Sequence, residues 1–317
     1  MLTYDTVARK PGAFKSMTGL TVQEFEELLA DLRPRYEAAR QEERAARARR
    51  RAPGGGAKRR YALREHLLMT LVWLRLSLTG DAVGVLFGVD KSTVSRDTRP
   101  LLRLVRDHGQ DTRGWPEEAQ ALLDTTDGAG EAGEADGVAI IDATEQGVER
   151  AQDDATQRVH SSGKKKAHTR KTLIVVNERG QLRSVSPSVP GATHDLTVLR
   201  QSGAVEEIPA DLSLMADSGF QGLQHDAPER SVALPYKGSK AHPLTPEQKL
   251  HTALLSRIRI VVENTLAEMK HFRILAAVFR HPLALYDSIC VSIAGVVTRR
   301  ADQRLADQRR AALPLAA

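Results

Sequence analysis

Apolar residues recur at helical spacing through the first third of the chain. One stripe predicts a helix over residues 18–43, and Thr21 and Glu24 fit a capping box at its start. The members of that stripe are Phe25, Leu28, Leu29 and Leu32. A second striped helix, "REHLLMTLVWLRLSL", begins at Arg64, and a third helical unit follows Thr79. The amino-terminal part is therefore predicted to be helical throughout.

Beyond residue 137 the pattern changes to short runs that are typical of strands. These runs are "GVAIIDAT", "KTLIVVNE", "QLRSVSPS" and "LSLMADSG", with a turn, "NERGQ", between the second and the third. Helical segments follow His194 and extend from Pro246 to about Ala277. A meander of strands, followed by strands that alternate with helices, indicates an α/β domain with a mixed sheet covered by helices.

The third helical unit, "GDAVGVLFGVDKSTVSRDTRPLL", has the pattern of two helices joined by a tight turn. The first helix is predicted over 81–87, with three inward-facing residues: Ala82, Val85 and Leu86. Gly88 permits a sharp turn, and Val89 is expected to pack beneath it. Asp90 or Ser92 can cap the second helix.

The outer side of that second helix carries hydroxyls and basic groups. They are Lys91, Ser92, Thr93, Ser95, Arg96 and Arg99. Short hydroxyls and arginines suit base edges and phosphates in a major groove, so the unit is predicted to be a DNA-binding helix-turn-helix. The alternative is a pair of packed helices in an ordinary α-helical subdomain.

Positive charge is clustered along the chain. The formal net charge is +6, and residues 44–60 carry eight basic residues and no acid, around one proline and three glycines. This segment is either a flexible arm that contacts phosphates or a solvated linker. A second basic stretch, 157–171, contains Lys164, Lys165 and Lys166. It is predicted to be a loop that grips the DNA backbone, and the alternative is a solvated hairpin.

Composition narrows the class of protein further. The single cysteine, Cys290, leaves no disulfide framework, and no run of about 18 apolar residues is present to span a membrane. The start of the chain lacks a signal-peptide pattern. We therefore expect an intracellular protein of the cytoplasm, associated with the nucleoid and without a membrane partner, and the arginine-rich basic composition indicates a bacterial source.

Three acids lie in apolar surroundings that would not tolerate an isolated charge. Asp142 follows the apolar run "GVAII", and Asp217 follows "LSLMA". Glu263 follows three apolar residues in a predicted helix, where it shares a face with Arg259 and Lys270, two residues able to bind phosphates. The alternative for each acid is a helix cap or a salt-bridge partner.

Two other acids compete for these roles. Asp195 in "PGATHDLTVL" is predicted to cap the helix that follows it or to support a neighbouring loop, so it ranks below Asp217. Glu268 lies about 140° from Glu263 around the helix, so the two cannot serve one site.

Carboxylate oxygens are ligands that suit magnesium, which binds through few carboxylates and the phosphates of a substrate. Two such ions, about 3.5–4 Å apart, activate a water molecule and stabilise the leaving oxygen in phosphodiester cleavage. Asp142, Asp217 and Glu263 are therefore predicted to hold two Mg²⁺ (or Mn²⁺) ions and to be the catalytic residues of a nuclease. The sequence shows no Cys/His cluster with zinc spacing.

The residues around these acids resemble motifs of a known family. "IDATEQ", "SSGKKKAHTRKT", "PGATHDLTVL", "ADSGFQG" and "RIVVENTLAEMKHFRIL" are similar in order and spacing to those of DDE-type transposases of the IS5 group and of the related Harbinger-like nucleases. The helix-turn-helix also resembles theirs, and the likeness covers roughly residues 60–280. One departure is Ala143, where such proteins often have glycine, and it leaves the acid in place.

The resemblance implies an RNase H-like catalytic core. Asp142 would lie on its first strand, Asp217 at the end of its fourth strand, and Glu263 on a late helix. The predicted division of the chain is an amino-terminal helix and basic arm (1–60), a helix-turn-helix domain (61–123), an acidic, glycine-rich linker (124–137), the catalytic domain (138–280) and a carboxy-terminal helical segment (281–317).

Together these observations predict a DNA transposase. It would bind terminal inverted repeats and carry out metal-dependent strand cleavage and strand transfer. Because two element ends must be paired, we expect a homodimer or a larger assembly. Two alternatives stay open: a transposase-derived DNA-binding protein that no longer cuts, and a stand-alone metal-dependent endonuclease.

Overall fold

The computed structural model describes residues 1–46, 61–111, 114–115, 137–150, 154–163 and 165–312. Its amino-terminal part is helical, as predicted. The helices there are α1 (Tyr4–Ala8), α2 (Pro11–Thr18), α3 (Val22–Ala46), α4 (Leu63–Leu76), α5 (Gly80–Phe87) and α6 (Lys91–Asp111). Most of the predicted basic arm (44–60), most of the predicted linker (124–137) and Lys164 lie outside the described residues.

The second part of the chain contains a mixed sheet. Its strands are β1 (Val138–Gly147), β2 (Ser161–Ser162), β3 (Ala167–Asn177), β4 (Leu182–Val185), β5 (Val189–Pro190), β6 (Ser213–Ala216) and β7 (Val232–Ala233). Its main strands run in the order β4-β3-β1-β6-β7, where β3 is antiparallel to both neighbours and β1, β6 and β7 are parallel. In chain order β6 is the fourth of these five, so the arrangement fits the RNase H-like core that the resemblance implies.

Helices cover both faces of the sheet. They are α7 (Asp154–His160), α8 (Asp195–Ser202), α9 (Ala204–Glu207), α10 (Leu223–Asp226), α11 (Pro246–Lys270), α12 (Arg273–Ala276) and α13 (Tyr286–Ala312). Because side chains alternate along a strand, Ile140 and Ile174 join the core shared with α4, α6, α11 and α13. Ile141 and Val175 join the core shared with α8 and α9. The predicted α/β fold class is confirmed.

The predicted helix-turn-helix corresponds to α5 and α6. α5 begins after Thr79, whose hydroxyl oxygen accepts a hydrogen bond from the Ala82 N–H at 3.2 Å. It ends at Gly88, whose φ of 66° is the left-handed conformation that favours glycine. Val89 packs partly buried beneath the turn, as expected. Within the described ranges no helix is both long and apolar enough to cross a bilayer.

One detail of the predicted helix-turn-helix is wrong. Val85, which we expected to face inward, is 84% exposed. Val83 and Phe87 are the fully buried residues of α5. They are four residues apart and therefore lie on one helix face, and α5 packs against both α4 and α6.

Two strands are longer than predicted. β1 continues to Gly147, so Asp142 lies in the middle of a strand and not at its end. β3 begins at Ala167, so the last part of the second basic stretch, 157–171, is strand and not loop. The first part of that stretch belongs to α7. Polar residues of β1 and β3 pair with each other beyond the apolar runs, for example Glu145 with Lys171, and the apolar pattern does not reveal this pairing.

The helix-turn-helix is joined to the sheet through α13. An added Cβ on Gly109 of α6 would lie 2.9 Å from the Gly295 Cα of α13, and one on Gly295 would lie 2.5 Å from the Gly109 Cα. The Ser292 hydroxyl also donates to the Leu102 carbonyl oxygen at 3.2 Å. Because α13 packs against β4 as well as α6, this close crossing links the two parts of the protein.

We expect Gly295→Ala to destabilise the protein, because its methyl group would overlap the backbone of α6. Overpacking of this kind costs about 1–3 kcal/mol. The measurement is urea denaturation followed by circular dichroism.

Gly12→Ala in α2 is the matched control, because an added Cβ there meets nothing within 4 Å. It should leave stability unchanged or raise it by up to about 1 kcal/mol. Equal free energies of unfolding for the two variants would show that α6 and α13 do not cross closely.

Candidate active site and DNA interface

The pairing of β1 with β6 brings two of the predicted acids together. The parallel register places Ile141 opposite Ala216, the last residue of β6. Asp142 and Asp217 are therefore the next residues along adjacent strands, which lie about 4.8 Å apart in a sheet. Two ionised carboxylates this close repel each other unless a cation or a proton relieves the repulsion.

Asp142 is largely buried, with its side chain 15% exposed. Its Oδ1 accepts a hydrogen bond from the Ala143 N–H at 2.8 Å, and its Oδ2 lies 3.6 Å from the Arg259 guanidinium. Burial raises the pKa of Asp142 to about 6, and the negative charges of Asp217 and Asp195 add to this effect. The Ala143 hydrogen bond and the Arg259 charge oppose it without cancelling it. A carboxylate whose negative charge is only partly compensated is suited to bind a cation.

Asp217 is held by the turn that follows β6. It caps the 3₁₀ turn Ser218–Phe220, and its Oδ1 accepts a hydrogen bond from the Gly219 N–H at 2.7 Å. An added Cβ on Gly219 would lie 2.5 Å from Asp195 Oδ2 and 2.9 Å from Asp217 Oδ1. Glycine at this position therefore lets both carboxylates approach the turn. In the described part of the chain Asp217 Oδ2 has no hydrogen-bond partner.

Asp195 forms an ion pair with a buried lysine. Lys171 Nζ lies 2.6 Å from Asp195 Oδ1 and 3.4 Å from Glu145 Oε1, and its side chain is 8% exposed. It also donates to the Thr193 carbonyl oxygen at 2.6 Å, so the pair supports the loop before α8. Asp195 is the first residue of α8, after its N-cap. Sequence reasoning missed Lys171 and Glu145, because their role depends on the pairing of β1 with β3.

α11 turns its predicted face towards the same edge of the sheet. Arg259 contacts Asp142. The pKa of Lys270 is lowered mainly by desolvation and also by the positive charge of Lys165, while Asp142 raises it. Glu263 is one turn after Arg259 and two turns before Lys270, so it lies on the helix face that both cations share. Its side chain is exposed.

The competing acid on α11 belongs to a different surface. Glu268 Oε1 lies 2.6 Å from Arg304 Nη1, and its Oε2 lies 3.6 Å from Arg300 Nη1, so it contacts α13. This agrees with the prediction that Glu263 and Glu268 do not serve one site.

The predicted metal ligands are brought together in part. Asp142 and Asp217 lie side by side, but no three His, Cys, Asp or Glu side chains of the described residues converge closely enough to hold a metal ion. Glu263 therefore does not complete a three-carboxylate group in this conformation. The donor chemistry of the two aspartates fits a hard divalent ion.

Basic side chains lie beside the acids. Lys165 and Lys166 are exposed in the turn before β3, and Lys165 is close enough to Lys270 to affect its pKa. Together with Arg259 they add positive charge at the edge of the sheet that carries Asp142. The third lysine of the predicted cluster, Lys164, is outside the described residues.

The outer face of α6 forms a shallow groove that contains four of the six predicted DNA-binding residues. Its lining is Ser92, Ser95, Arg96, Arg99, Pro100 and Arg103. Thr93 is half-buried, and Lys91 forms an exposed ion pair with Asp81 at 3.3 Å. Sequence reasoning missed Arg103, although its spacing of four residues from Arg99 places it on the same face.

The arginines of this groove are not neutralised locally. Arg96, Arg99 and Arg103 form no ion pair with any acid in the described ranges. An uncompensated row of arginines on the second helix of a helix-turn-helix is typical of a DNA-binding face.

A helix-turn-helix that precedes an α/β domain with paired aspartates defines a class of protein that binds and processes DNA. Residues 141–298 match the family described as DDE superfamily endonuclease, and residues 62–111 match the helix-turn-helix of DDE superfamily endonuclease. The chain belongs to the DDE superfamily of endonucleases, as the resemblance predicted.

One relative is described as a probable transposase for insertion sequence element IS702, from Microchaete diplosiphon. It is 25% identical over 228 residues, which cover 71% of this chain and 76% of the relative. No solved structure matches this chain significantly.

The raised pKa of Asp142 predicts a pH-dependent stability. The native state holds this proton more tightly than the unfolded chain does, so the contribution of Asp142 to stability falls as the pH rises from about 4 to about 6. A shift of about two units corresponds to about 3 kcal/mol. Asp142→Asn removes this titration, so the free energy of unfolding of the variant, minus that of the wild type, should rise across this window.

The measurement is denaturant unfolding of both proteins at several pH values, without divalent ions. Parallel pH profiles for the wild type and the variant would contradict the assignment of a buried, under-compensated carboxylate.

Proposed function

We propose that this protein is a DNA transposase that binds the terminal inverted repeats of its element and cuts and joins DNA beside Asp142 and Asp217. The observation that carries the proposal is the parallel register of β1 and β6, which sets these carboxylates side by side. The helix-turn-helix would allow the same chain to recognise a specific DNA sequence. The relative from Microchaete diplosiphon, described as a probable transposase, supports the same function.

Asp142, Asp217 and Glu263 are the proposed metal ligands. When bound, two Mg²⁺ (or Mn²⁺) ions would supply an activated nucleophile and stabilise the leaving oxygen of the scissile phosphodiester. Asp142 and Asp217 lie side by side, and in the described part of the chain Asp217 Oδ2 has no hydrogen-bond partner and is available to a ligand. Glu263 is exposed on α11, on the helix face that also carries Arg259 and Lys270.

The cations of the site are proposed to hold the DNA. The charge of Arg259 partly compensates Asp142, and Arg259 and Lys270 would contact phosphates around the scissile bond. Lys164, Lys165 and Lys166 would contact the backbone further along. Water would attack the phosphodiester at the element end and break its P–O3′ bond, which leaves a 3′-OH on the element and a 5′-phosphate on the flanking DNA. That 3′-OH would then attack a phosphodiester of the target DNA, joining the element to the target 5′-phosphate and releasing a target 3′-OH.

The second helix of the helix-turn-helix is proposed to read the inverted repeat. Its outer residues, Lys91, Ser92, Thr93, Ser95, Arg96 and Arg99, would enter the major groove, with Arg103 added on a neighbouring phosphate. Because one transposition event joins two ends, we propose that two or more copies of the chain act together.

Asp142→Asn, Asp217→Asn and Glu263→Gln should each reduce cleavage about 100-fold or more, because each removes a metal ligand. Binding to the element's ends should persist. The measurements are magnesium-dependent cleavage of a plasmid that carries those ends and, separately, fluorescence anisotropy with a labelled duplex.

Glu268→Gln is the matched control on the same helix, because Glu268 faces Arg300 and Arg304. It should keep cleavage within a few-fold of wild type once thermal melting shows that it folds. Full cleavage by Asp142→Asn would contradict the proposed active site.

Arg96→Ala and Arg99→Ala should weaken binding to duplex DNA. If each arginine neutralises one phosphate, each substitution should reduce the slope of log K against log salt concentration by about one. Arg179→Ala, an exposed arginine in the turn after β3, is the control and should change neither value. An unchanged slope for both α6 variants would remove α6 from the DNA interface.

A further inference from the structure

An exposed tyrosine lies in the connection between β7 and α11. Tyr236 is 49% exposed, and among the described residues it is the one aromatic side chain of the exposed large apolar set. The surrounding stretch, residues 235–244, contains Lys237 and Lys240 and no acid. We call this stretch the basic loop. Both lysines are exposed, and neither forms an ion pair with an acid in the described part of the chain.

The basic loop lies at the edge of the sheet that carries the paired aspartates. β7 is parallel to β6, and the last pair of their ladder joins Met215 to Ala233. The chain therefore leaves β7 at the same end of the sheet at which Asp217 follows β6. Gln221 Nε2 donates a hydrogen bond to the Pro235 carbonyl oxygen at 2.9 Å. Because Gln221 directly follows the turn that Asp217 caps, this bond ties the loop to the candidate active site.

The ring of Tyr236 is oriented by α11. Its centroid lies 5.2 Å from that of His251 in a T-shaped contact. The Tyr236 N–H donates to the Thr252 hydroxyl oxygen at 3.3 Å. α11 is also the helix that carries Arg259 and Glu263. The ring thus packs on α11, and Tyr236 is about half exposed to solvent.

An oriented aromatic ring beside uncompensated lysines fits a single-stranded nucleic acid. Bases without a partner stack on aromatic side chains, and lysines contact the phosphates that flank them. A protein partner is the other candidate, because Leu250 and Leu254 of α11 are also exposed. The absence of any acid from the basic loop and its place beside the aspartates favour DNA.

We propose that Tyr236 stacks on an unpaired nucleobase next to the scissile phosphate, and that Lys237 and Lys240 contact the adjacent backbone. The inference rests on the proposed function only in placing the scissile phosphate at Asp142 and Asp217. A transposase end after cleavage has strand termini that no longer need to stay paired, and a stacking surface beside the acids would hold such a terminus in place.

The test compares two DNA probes with the full-length protein in EDTA, so that no strand is cut. One probe is a duplex with a short single-stranded thymidine overhang that contains one 2-aminopurine, and the other is the same duplex with blunt ends. Tyr236→Ala should weaken binding to the overhang probe about tenfold, in the range for loss of one base–aromatic stack. Binding to the blunt duplex should stay within about twofold.

Two further variants separate stacking from other roles. Tyr236→Phe keeps the ring and should keep both the affinity and the quenching of 2-aminopurine fluorescence. Leu283→Ala removes another exposed apolar side chain, 43% exposed, and should change nothing. Thermal melting checks that every variant folds.

Three results would overturn the proposal. They are equal loss of binding to both probes in Tyr236→Ala, a loss in Tyr236→Phe as large as that in Tyr236→Ala, and unchanged binding in Tyr236→Ala. Because the assay needs no cleavage, its outcome is independent of the cleavage experiment. If the wild-type protein never cuts DNA but Tyr236→Ala selectively weakens binding to the overhang probe, the proposed function is refuted and the stacking surface is supported.

Discussion

The candidate site depends on one backbone constraint, the parallel pairing of β1 with β6. This pairing sets the carboxylate that interrupts β1 beside the carboxylate that follows β6. Both strands are covered by helices on both faces, and both aspartates are partly buried. The sheet therefore holds two negative charges together at a cost that only a proton, a cation or a nearby basic group can offset.

Different basic residues compensate the negative charges of the acids around this edge of the sheet. Lys171 forms ion pairs with both Asp195 and Glu145, so its single positive charge is shared between two acids. Arg259 lies at 3.6 Å from Asp142, too far for a tight hydrogen-bonded pair, and the pKa of Asp142 stays raised. The negative charge of Asp142 is thus only partly compensated. Asp195, only a few ångströms from Asp217, instead forms a close ion pair with Lys171. This difference supports the proposal that Asp142, and not Asp195, is a metal ligand.

The close crossing of α6 and α13 gives the second physical link in the protein. α6 carries the arginine groove, and α13 packs against the sheet that carries the aspartates. With glycine on both sides of the crossing, the two helix backbones meet directly, without flexible side chains between them. A bound DNA end would therefore be oriented relative to the catalytic edge by rigid helix packing.

The sequence by itself determined the helical first part, the helix-turn-helix and the principal strands, and it singled out the two aspartates that meet at one edge of the sheet, because apolar periodicity, glycine at a tight turn and isolated charges are local signals. It did not determine that β1 runs on past Asp142, that Val85 faces solvent, or that Lys171 sits between Asp195 and Glu145. Those features depend on which strand pairs with which and on which helix covers each face. Only the tertiary structure decided them, because non-local pairing is a property of the folded chain and leaves no periodicity in the sequence.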